Sequence, residues 1–220
     1  MRGQEGLLAQ LDAGEFARRV RNFRKMRRWT LATLSEASGV SISALSKIEN
    51  EQVAASFDTL LKLSQVIGVS FETIVSGGEE ASEVAVPASG RRTTTMRGAG
   101  MQFSTARYDY EVHSADLTHK RMIPLVMQIR ARDVAPQAEW SSHDGEEFIY
   151  VTRGRIELHT EMYLPAVLSA GDSAYIDSRM RHAFINLSDD DSSEILSVCL
   201  SDKVSHQVDE IIRSRASTGS

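Results

Sequence analysis

The side chains best suited to a recognisable chemistry lie within residues 35–50. The pattern predicts two short helices joined by a tight turn at Gly39, and the second of them carries small polar and basic side chains on one side. Hydroxyl and ammonium groups on one helix face can hydrogen-bond the edges of DNA bases. Two such helices have the geometry of a helix-turn-helix, which places its second helix in the major groove.

Basic residues are concentrated just before this segment. They are opposed locally only by Glu15, and they are Arg18, Arg19, Arg21, Arg24, Lys25, Arg27 and Arg28. The whole chain carries −5, but residues 1–78 hold 10 Lys+Arg and 8 Asp+Glu, a net of +2, whereas residues 100–205 hold 10 and 17, a net of −7. Phosphate binding needs a local basic surface rather than a basic protein. The cluster therefore favours DNA contact, with a solvated helix face as the alternative.

Residues 15–76 predict five helices. Phe16, Val20 and Phe23 recur at spacings of 4 and 3, which gives the first helix one apolar stripe. Small polar residues precede the later helices and glycines follow two of them, as expected of caps and C-terminal stops. The predicted N-caps and stops are Thr30, Ser41, Ser56, Gly39 and Gly68.

The composition changes after residue 76. Residues 77–100 are rich in Gly, Ser, Ala and Thr and predict a linker. Beyond it, short segments rich in β-branched and aromatic residues predict strands at 122–129, 147–152, 155–161, 173–177, 183–187 and 194–200. Several short strands at close spacing favour a sandwich or a small barrel. Residues 141–186 look like the pocket of such a barrel.

The sequence thus predicts a multidomain chain. Its expected parts are a flexible arm at 1–14, a helical DNA-binding domain at 15–76, a linker at 77–105, a sensor domain at 106–203 and a tail at 204–220. No run of about 18 apolar residues is present, and the N-terminus lacks the apolar core of a signal peptide. The single Cys199 cannot form an intrachain disulfide. We therefore expect a cytoplasmic protein with no membrane partner.

The helical domain carries a recognisable order of short motifs. They are RNFRKMRRWTL at 21–31, SGVS at 38–41, LSKIEN at 45–50, TLLKL at 59–63 and IGVS at 67–70. With these motifs, residues 15–76 resemble the Cro/C1-type (lambda-repressor-like, XRE) helix-turn-helix family. Ser35 and Asn50 stand where that family usually has Ala and Gly.

The resemblance implies that the helix at 41–50 reads the major groove. Ser43 and Ser46 would face base edges, Ile42 a thymine methyl, and Lys47 a guanine or a phosphate. Arginines and the start of the preceding helix would hold phosphates. The full set of implied DNA-binding residues is Arg24, Arg27, Arg28, Thr30, Leu31, Ser41, Ile42, Ser43, Ser46 and Lys47.

The C-terminal domain carries two spaced motifs. The first runs from Ser141 through His143 and Glu147 to Gly154, and the second from Gly171-Asp172 to the segment HAFIN at 182–186. With them, residues 106–203 resemble the conserved-barrel cupin family, which implies an all-β double-stranded β-helix. Ser141 stands where the family has its first histidine, and Asp177 and Arg179 replace a proline and a glycine.

The cupin resemblance implies a metal held by His143, Glu147 and His182. Two imidazoles and one carboxylate suit iron, manganese, nickel or zinc. A metal-free, hydrogen-bonded pocket is the alternative, and Glu146 is a second candidate ligand, although it should face outward. The implied effector-binding set is Ser141, His143, Glu147, His182, Tyr150 and Tyr175. No nucleotide cofactor is expected.

Together the two resemblances imply a transcriptional regulator without catalytic residues, in which a small effector or a metal in the cupin domain changes binding to double-stranded DNA. A single helix-turn-helix reads one half-site, so a homodimer paired through the cupin domain is expected on an inverted repeat. The alternatives are a dioxygenase-like metal enzyme fused to a DNA-binding module and a DNA-bound scaffold whose barrel only dimerises.

Overall fold

The computed structural model describes residues 13–69, 71–76, 90–117, 120–190 and 193–200. The expected arm at 1–14 falls outside this range except for Ala13 and Gly14, which begin the first helix. The first part of the expected linker and the expected tail at 204–220 also lie outside the described residues.

Helices occupy the N-terminal part of the described chain. Four of them have 8 to 14 residues and a last helical segment has 6. Their bounds are α1 Ala13–Met26, α2 Leu31–Ser38, α3 Ile42–Glu49, α4 Phe57–Ile67 and α5 Phe71–Ser76. The largest fully buried side chains of this domain come from four of the helices and are Leu34, Leu45, Leu60, Leu63, Ile67 and Ile74.

The predicted caps are confirmed. The Thr30 and Ser41 hydroxyls accept hydrogen bonds from the backbone N–H groups of Thr33 and Ala44 at 3.0 and 3.1 Å. Gly39 ends α2 with φ 69°, a left-handed conformation that costs glycine little because it has no Cβ. Capping therefore fixes the turn between α2 and α3 locally, before any tertiary packing.

Strands make up the C-terminal part. Their bounds are β1 Met101–Ser104, β2 Tyr108–Val112, β3 Met122–Ile129, β4 Glu146–Arg153, β5 Arg155–Thr160, β6 Ala166–Ser169, β7 Ser173–Asp177, β8 His182–Asn186 and β9 Glu194–Leu200. One sheet has the order β1-β2-β3-β9-β4-β7 and the other β6-β5-β8, and all of their pairings are antiparallel. The inner faces of both sheets supply the apolar core, which includes Leu125, Ile129, Ile149, Ile156 and Ile195.

Six strands match the predicted segments, and three were not predicted. One of these, β1, lies inside the expected linker at 77–105, so the sheet begins at Met101 rather than after residue 105. β1 carries no clear strand signal in the sequence, because only four of its residues pair and turn-forming residues flank them. The alternation of Tyr108, Tyr110 and Val112 in β2 was a readable strand signal.

Candidate functional site

The polar face of α3 is open to solvent. Ser41, Ile42, Ser43 and Lys47 are exposed, and Ile42 shows 50% of its surface. Ser46 is half-buried, and its hydroxyl accepts a hydrogen bond from the Asn50 side chain at 3.4 Å. The opposite face of α3 is buried. The helix therefore presents the residues implied for base contact in one direction.

The structure divides the residues implied for phosphate contact into exposed ones and one that is bound within the protein. Arg27 and Arg28 are exposed, and the Arg27 guanidinium lies 5.6 Å from the centre of the Trp29 ring. Thr30 caps α2, and the half-buried Leu31 is its first residue. The exposed N-terminal turn of α2 thus keeps the geometry of a phosphate contact.

Arg24 does not fit its predicted role as a phosphate contact. Its Nε and Nη2 donate to the two carboxylate oxygens of Glu49, each at 2.7 Å, and its Nη1 donates to the Trp29 carbonyl at 2.9 Å. Arg21 donates to the Glu49 carbonyl at 2.9 Å. The Glu49 side chain is only 3% exposed. This ion pair ties the C-terminal end of α3 to α1, so the Arg24 guanidinium is bound within the protein and positions α3.

Replacing Glu49 tests that structural role. We expect Glu49→Gln to lower the free energy of unfolding by about 2 kcal/mol, because it leaves the mostly buried Arg24 guanidinium without its charged partner. Urea denaturation followed by circular dichroism measures the change. Glu36→Gln on the exposed face of α2 is the matched control and should change stability by less than about 0.5 kcal/mol. Equal effects of the two substitutions would contradict the assignment.

In the C-terminal domain, three buried side chains come from separate parts of the sheets. Glu147 lies in β4, His182 opens β8, and His143 precedes β4. Ser141 and His182 exchange backbone hydrogen bonds at 2.9 Å in an isolated antiparallel bridge. Residues directly opposite in such a pair place their side chains on one face, so Ser141 lies beside His182.

The ligand atoms of this cluster converge. Glu147 Oε2 lies 3.4 Å from His143 Nε2 and 3.2 Å from His182 Nε2. One ligand atom from each of the three residues lies within 4.8 Å of the others. The side chains are 1%, 3% and 2% exposed for His143, Glu147 and His182. The cluster therefore has the composition and spacing of a divalent metal site.

Neighbouring groups orient these side chains. The Ser197 hydroxyl donates to Glu147 Oε1 at 2.6 Å, which leaves Oε2 facing the imidazoles. His182 Nδ1 lies 3.0 Å from the Met180 carbonyl, and His143 Nδ1 lies 3.4 Å from the Asp144 carbonyl. A proton held on Nδ1 by a carbonyl leaves the Nε2 lone pair free to bind a cation. This second layer of contacts is compatible with a metal at the Nε2 atoms and also with hydrogen bonds from these atoms to Glu147 Oε2.

The charges of the cluster are strongly coupled. Burial disfavours the Glu147 carboxylate, but the His182 imidazolium and hydrogen bonds from both histidines outweigh it and hold the pKa of Glu147 well below its usual range. Burial also disfavours protonated His182, yet the Glu147 carboxylate outweighs it and raises the pKa of His182 to about 9. A cation entering the site would replace the proton on His182 Nε2.

Cys199 stands next to the cluster without joining it. It is paired with Glu147 across β4 and β9 and is 2% exposed. Burial raises the pKa of the Cys199 thiol, and the Glu147 carboxylate raises it further. The thiol therefore stays protonated at neutral pH, as expected of a buried structural cysteine.

The two tyrosines predicted for the effector site lie outside the barrel. Tyr150 is 39% exposed and Tyr175 is 63% exposed. Glu147, Ile149 and Val151 are buried in β4, so Tyr150, at odd spacing from Glu147, faces the other side of the strand. The same alternation excludes the exposed Glu146 as a ligand. This alternation can be read from the predicted strand, and it places the Tyr150 side chain on the face opposite Glu147.

Two residues near the site were missed by the sequence analysis, and both come from the helical domain. The Phe57 ring meets the His143 ring edge-on, with centres 6.1 Å apart. Asp58 Oδ2 accepts a hydrogen bond from the backbone N–H of Ser142 at 3.1 Å. Their only sequence signal was a position in the first turn of α4, which predicts capping and not contact with another domain.

The comparisons with known proteins separate the two halves of the chain. Residues 20–74 match the helix-turn-helix family HTH_3, and residues 132–199 match the family Cupin_2, described as a cupin domain. A stretch of 63 residues, 29% of this chain, is 33% identical to the HTH-type transcriptional regulator SutR of Escherichia coli (strain K12). That stretch spans about a third of the relative, 35% of its length.

Solved structures extend the likeness to both halves. An HTH_3 family transcriptional regulator from Vibrio cholerae is 14% identical with a TM-score of 0.57, over 86% of this chain and 96% of that one. Hydroxypropylphosphonic acid epoxidase from S. wedmorenis is 18% identical with a TM-score of 0.40, over 86% of this chain and 98% of that one. Of these two, the first shows a shared fold.

Among the described residues, no helix has the length and apolar character needed to cross a membrane.

The motifs, the fold and both family matches agree on how the chain is built. The chain joins an N-terminal helix-turn-helix domain of the XRE type to a C-terminal cupin domain.

Proposed function

We propose that this protein is a DNA-binding transcriptional regulator whose cupin barrel senses a divalent metal, a small effector, or both. The observation that carries the proposal is the pairing of an exposed polar α3 face with a buried cluster of His143, Glu147 and His182. The first can read DNA and the second can bind a ligand. Such a regulator acts where operator DNA lies, in the cytoplasm.

The metal would be held by one carboxylate oxygen and two imidazole nitrogens. This donor set suits iron(II), manganese, nickel or zinc and leaves positions open for an effector's own oxygen or nitrogen atoms. Ser141 lies beside His182 and could hold a water at the position of the missing histidine. Bound metal would supply a charged anchor for the effector.

Footprinting of DNA tests the proposed function. The probe is the promoter next to the protein's own gene, titrated with the full chain at low salt. We expect protection of two half-sites about 34 Å apart, one helical turn, because each protomer presents a single recognition helix. No protection at micromolar protein would contradict a role in operator binding.

The dimer needed for two half-sites has a candidate surface on the barrel. Four exposed apolar side chains line a cleft of ≈ 580 Å³ beside the edge strands β6 and β7, and they are Met162, Tyr163, Leu164 and Tyr175. Leu164 is 90% exposed. An apolar surface bordered by two strand edges is suited to a second copy of the chain.

Leu164→Glu tests the dimer surface. We expect the dimer dissociation constant to rise roughly 100-fold, because the substitution places a charge in a desolvated interface. Analytical ultracentrifugation measures it. Met96→Glu is the matched control, since Met96 is 72% exposed but does not line this cleft. A dimer that tolerates Leu164→Glu as well as it tolerates Met96→Glu would place the interface elsewhere.

A metal-dependent oxygenase is the second candidate function. Two imidazoles and one carboxylate with open positions are also the ligand set of non-haem iron oxygenases. Oxygen consumption by the iron(II)-loaded protein with candidate small substrates distinguishes the two. Turnover that persists when α3 is mutated would favour the enzyme.

A further inference from the structure

The first turn of α4 contacts the barrel at the cluster. Phe57 is 4% exposed and meets the His143 ring edge-on at 89°. The Phe57 ring also lies 6.2 Å from the Tyr110 ring at 25°, nearly parallel to it, and 5.1 Å from the Phe71 ring of α5. Tyr110 continues this contact to Phe103 of β1, with ring centres 4.5 Å apart. A side chain of the helical domain thus contacts two aromatic groups of the barrel.

Asp58 makes the second contact across the two domains. Its carboxylate accepts from the N–H of Ser142, the residue immediately before the ligand His143. An acidic residue in the first turn of a helix stabilises that helix even in solvent. Asp58 is nevertheless only 8% exposed, and its negative charge contributes to the raised pKa values of His182 and Tyr110. Its burial therefore comes from the barrel and not from the needs of α4.

The helical domain moves with α4. Leu45 of α3 and Leu60 of α4 are both fully buried in the same helical core. The exposed polar face of α3 is free in this docked arrangement. A displacement of α4 from the barrel would therefore carry α3 with it and change the position of the DNA-reading face.

We propose that α4 is a lid on the cupin barrel, held by Phe57 and Asp58. The cluster is 1–3% exposed in this docked arrangement, and Phe57 and Asp58 contact His143 and its neighbour Ser142, so the proposal is that a molecule larger than a metal ion enters when these two residues leave. Effector binding and docking of the helical domain then exclude one another. By reciprocity, an effector that holds the barrel open releases the helical domain, and whatever holds that domain docked keeps the effector out. This inference rests on the proposed function in one respect, that the effector enters this barrel.

The single cysteine provides a probe of the lid. Cys199 lies inside the barrel beside Glu147, so its modification by a small thiol reagent, at an alkaline pH that ionises part of the thiol, reports access to the cluster. The metal-free full chain is treated with methyl methanethiosulfonate well below the melting temperature of every variant, and the modified fraction is followed by mass spectrometry. We expect Phe57→Leu and Asp58→Ala each to raise the modification rate roughly tenfold, because each removes one contact across the mouth.

Two matched variants complete the experiment. Asp58→Asn loses the same charge as Asp58→Ala but keeps an oxygen that can accept from Ser142. Its rate should therefore stay several-fold below that of Asp58→Ala, which separates the lid contact from the effect of the Asp58 charge on the Cys199 thiol. Thr59→Ala disturbs the same turn of α4 without changing the lid contacts, since the Thr59 hydroxyl bonds to Ser56 of the same helix at 3.0 Å. We expect it to change the rate by less than about twofold.

The possible results separate the lid from the proposed function. Unchanged modification in Phe57→Leu and Asp58→Ala would overturn the lid, as would an equal increase in Thr59→Ala. The measurement uses neither DNA nor metal. If footprinting fails while the modification rates are as expected, the proposed regulator is overturned and the lid stands. If footprinting succeeds while the modification rates are unchanged, the lid is overturned and the regulator stands.

Discussion

Glu147→Gln will weaken binding of Zn²⁺ or Co²⁺ to the barrel by about 100-fold or more, because it removes the only anionic ligand of a three-ligand set. The neutral amide also loses the attraction that now draws both imidazoles towards Glu147 Oε2, at 3.4 and 3.2 Å. Isothermal titration calorimetry of the chelator-treated protein measures the dissociation constant. Retained ions are quantified by elemental analysis.

Glu146→Gln is the matched control for this measurement. Glu146 is the adjacent carboxylate in β4, but it is exposed on the outer face. We expect its metal affinity to stay within about twofold of the unchanged chain, since a solvated charge at this distance is largely screened. Equal losses in the two variants would contradict the assigned ligand set. Failure of the unchanged chain to bind any of the ions would favour a metal-free pocket.

Ser43→Glu will weaken operator binding by about 100-fold. Ser43 lies on the exposed face of α3, which we place in the major groove. A carboxylate there removes a hydrogen-bond donor to base acceptors and introduces repulsion from the flanking phosphates. Fluorescence anisotropy with the footprinted operator, at one fixed salt concentration, measures the affinity.

The control for Ser43→Glu carries the same charge change on the barrel. Met122 is 59% exposed at the start of β3 and does not line the cleft proposed for the dimer. Met122→Glu should lower the affinity by less than about threefold, which isolates the position of the charge from its effect on net charge. Similar losses from both substitutions would mean that α3 does not contact the operator.

Local sequence was sufficient for the turn between α2 and α3. Thr30 and Ser41 satisfy backbone N–H groups a few residues away, and Gly39 adopts a left-handed conformation that its own chemistry permits. Family motifs were sufficient to identify His143, Glu147 and His182, and the structure brings them together. Both results depend on patterns that lie within a few residues or within a short motif, and such patterns can be read from one sequence.

The sequence was insufficient where distant residues meet. Arg24 reads as one cation of a basic cluster, and only the packing of α1 against α3 shows that Glu49 binds it. Tyr175 reads as a pocket residue because it lies near the second cupin motif. Its true environment is set by the register that pairs it with Phe148 on the outer face.

The sequence by itself determined the two domain types, the helix caps, most strands and the three candidate metal ligands, because periodicity, capping and motif spacing act within a few residues. Only the tertiary structure decided which arginine faces solvent, what surrounds Tyr175, and that Phe57 and Asp58 reach the barrel. Asp58 and Ser142 are 84 positions apart. No local preference encodes such a contact, since it arises only when the helical domain packs against the barrel.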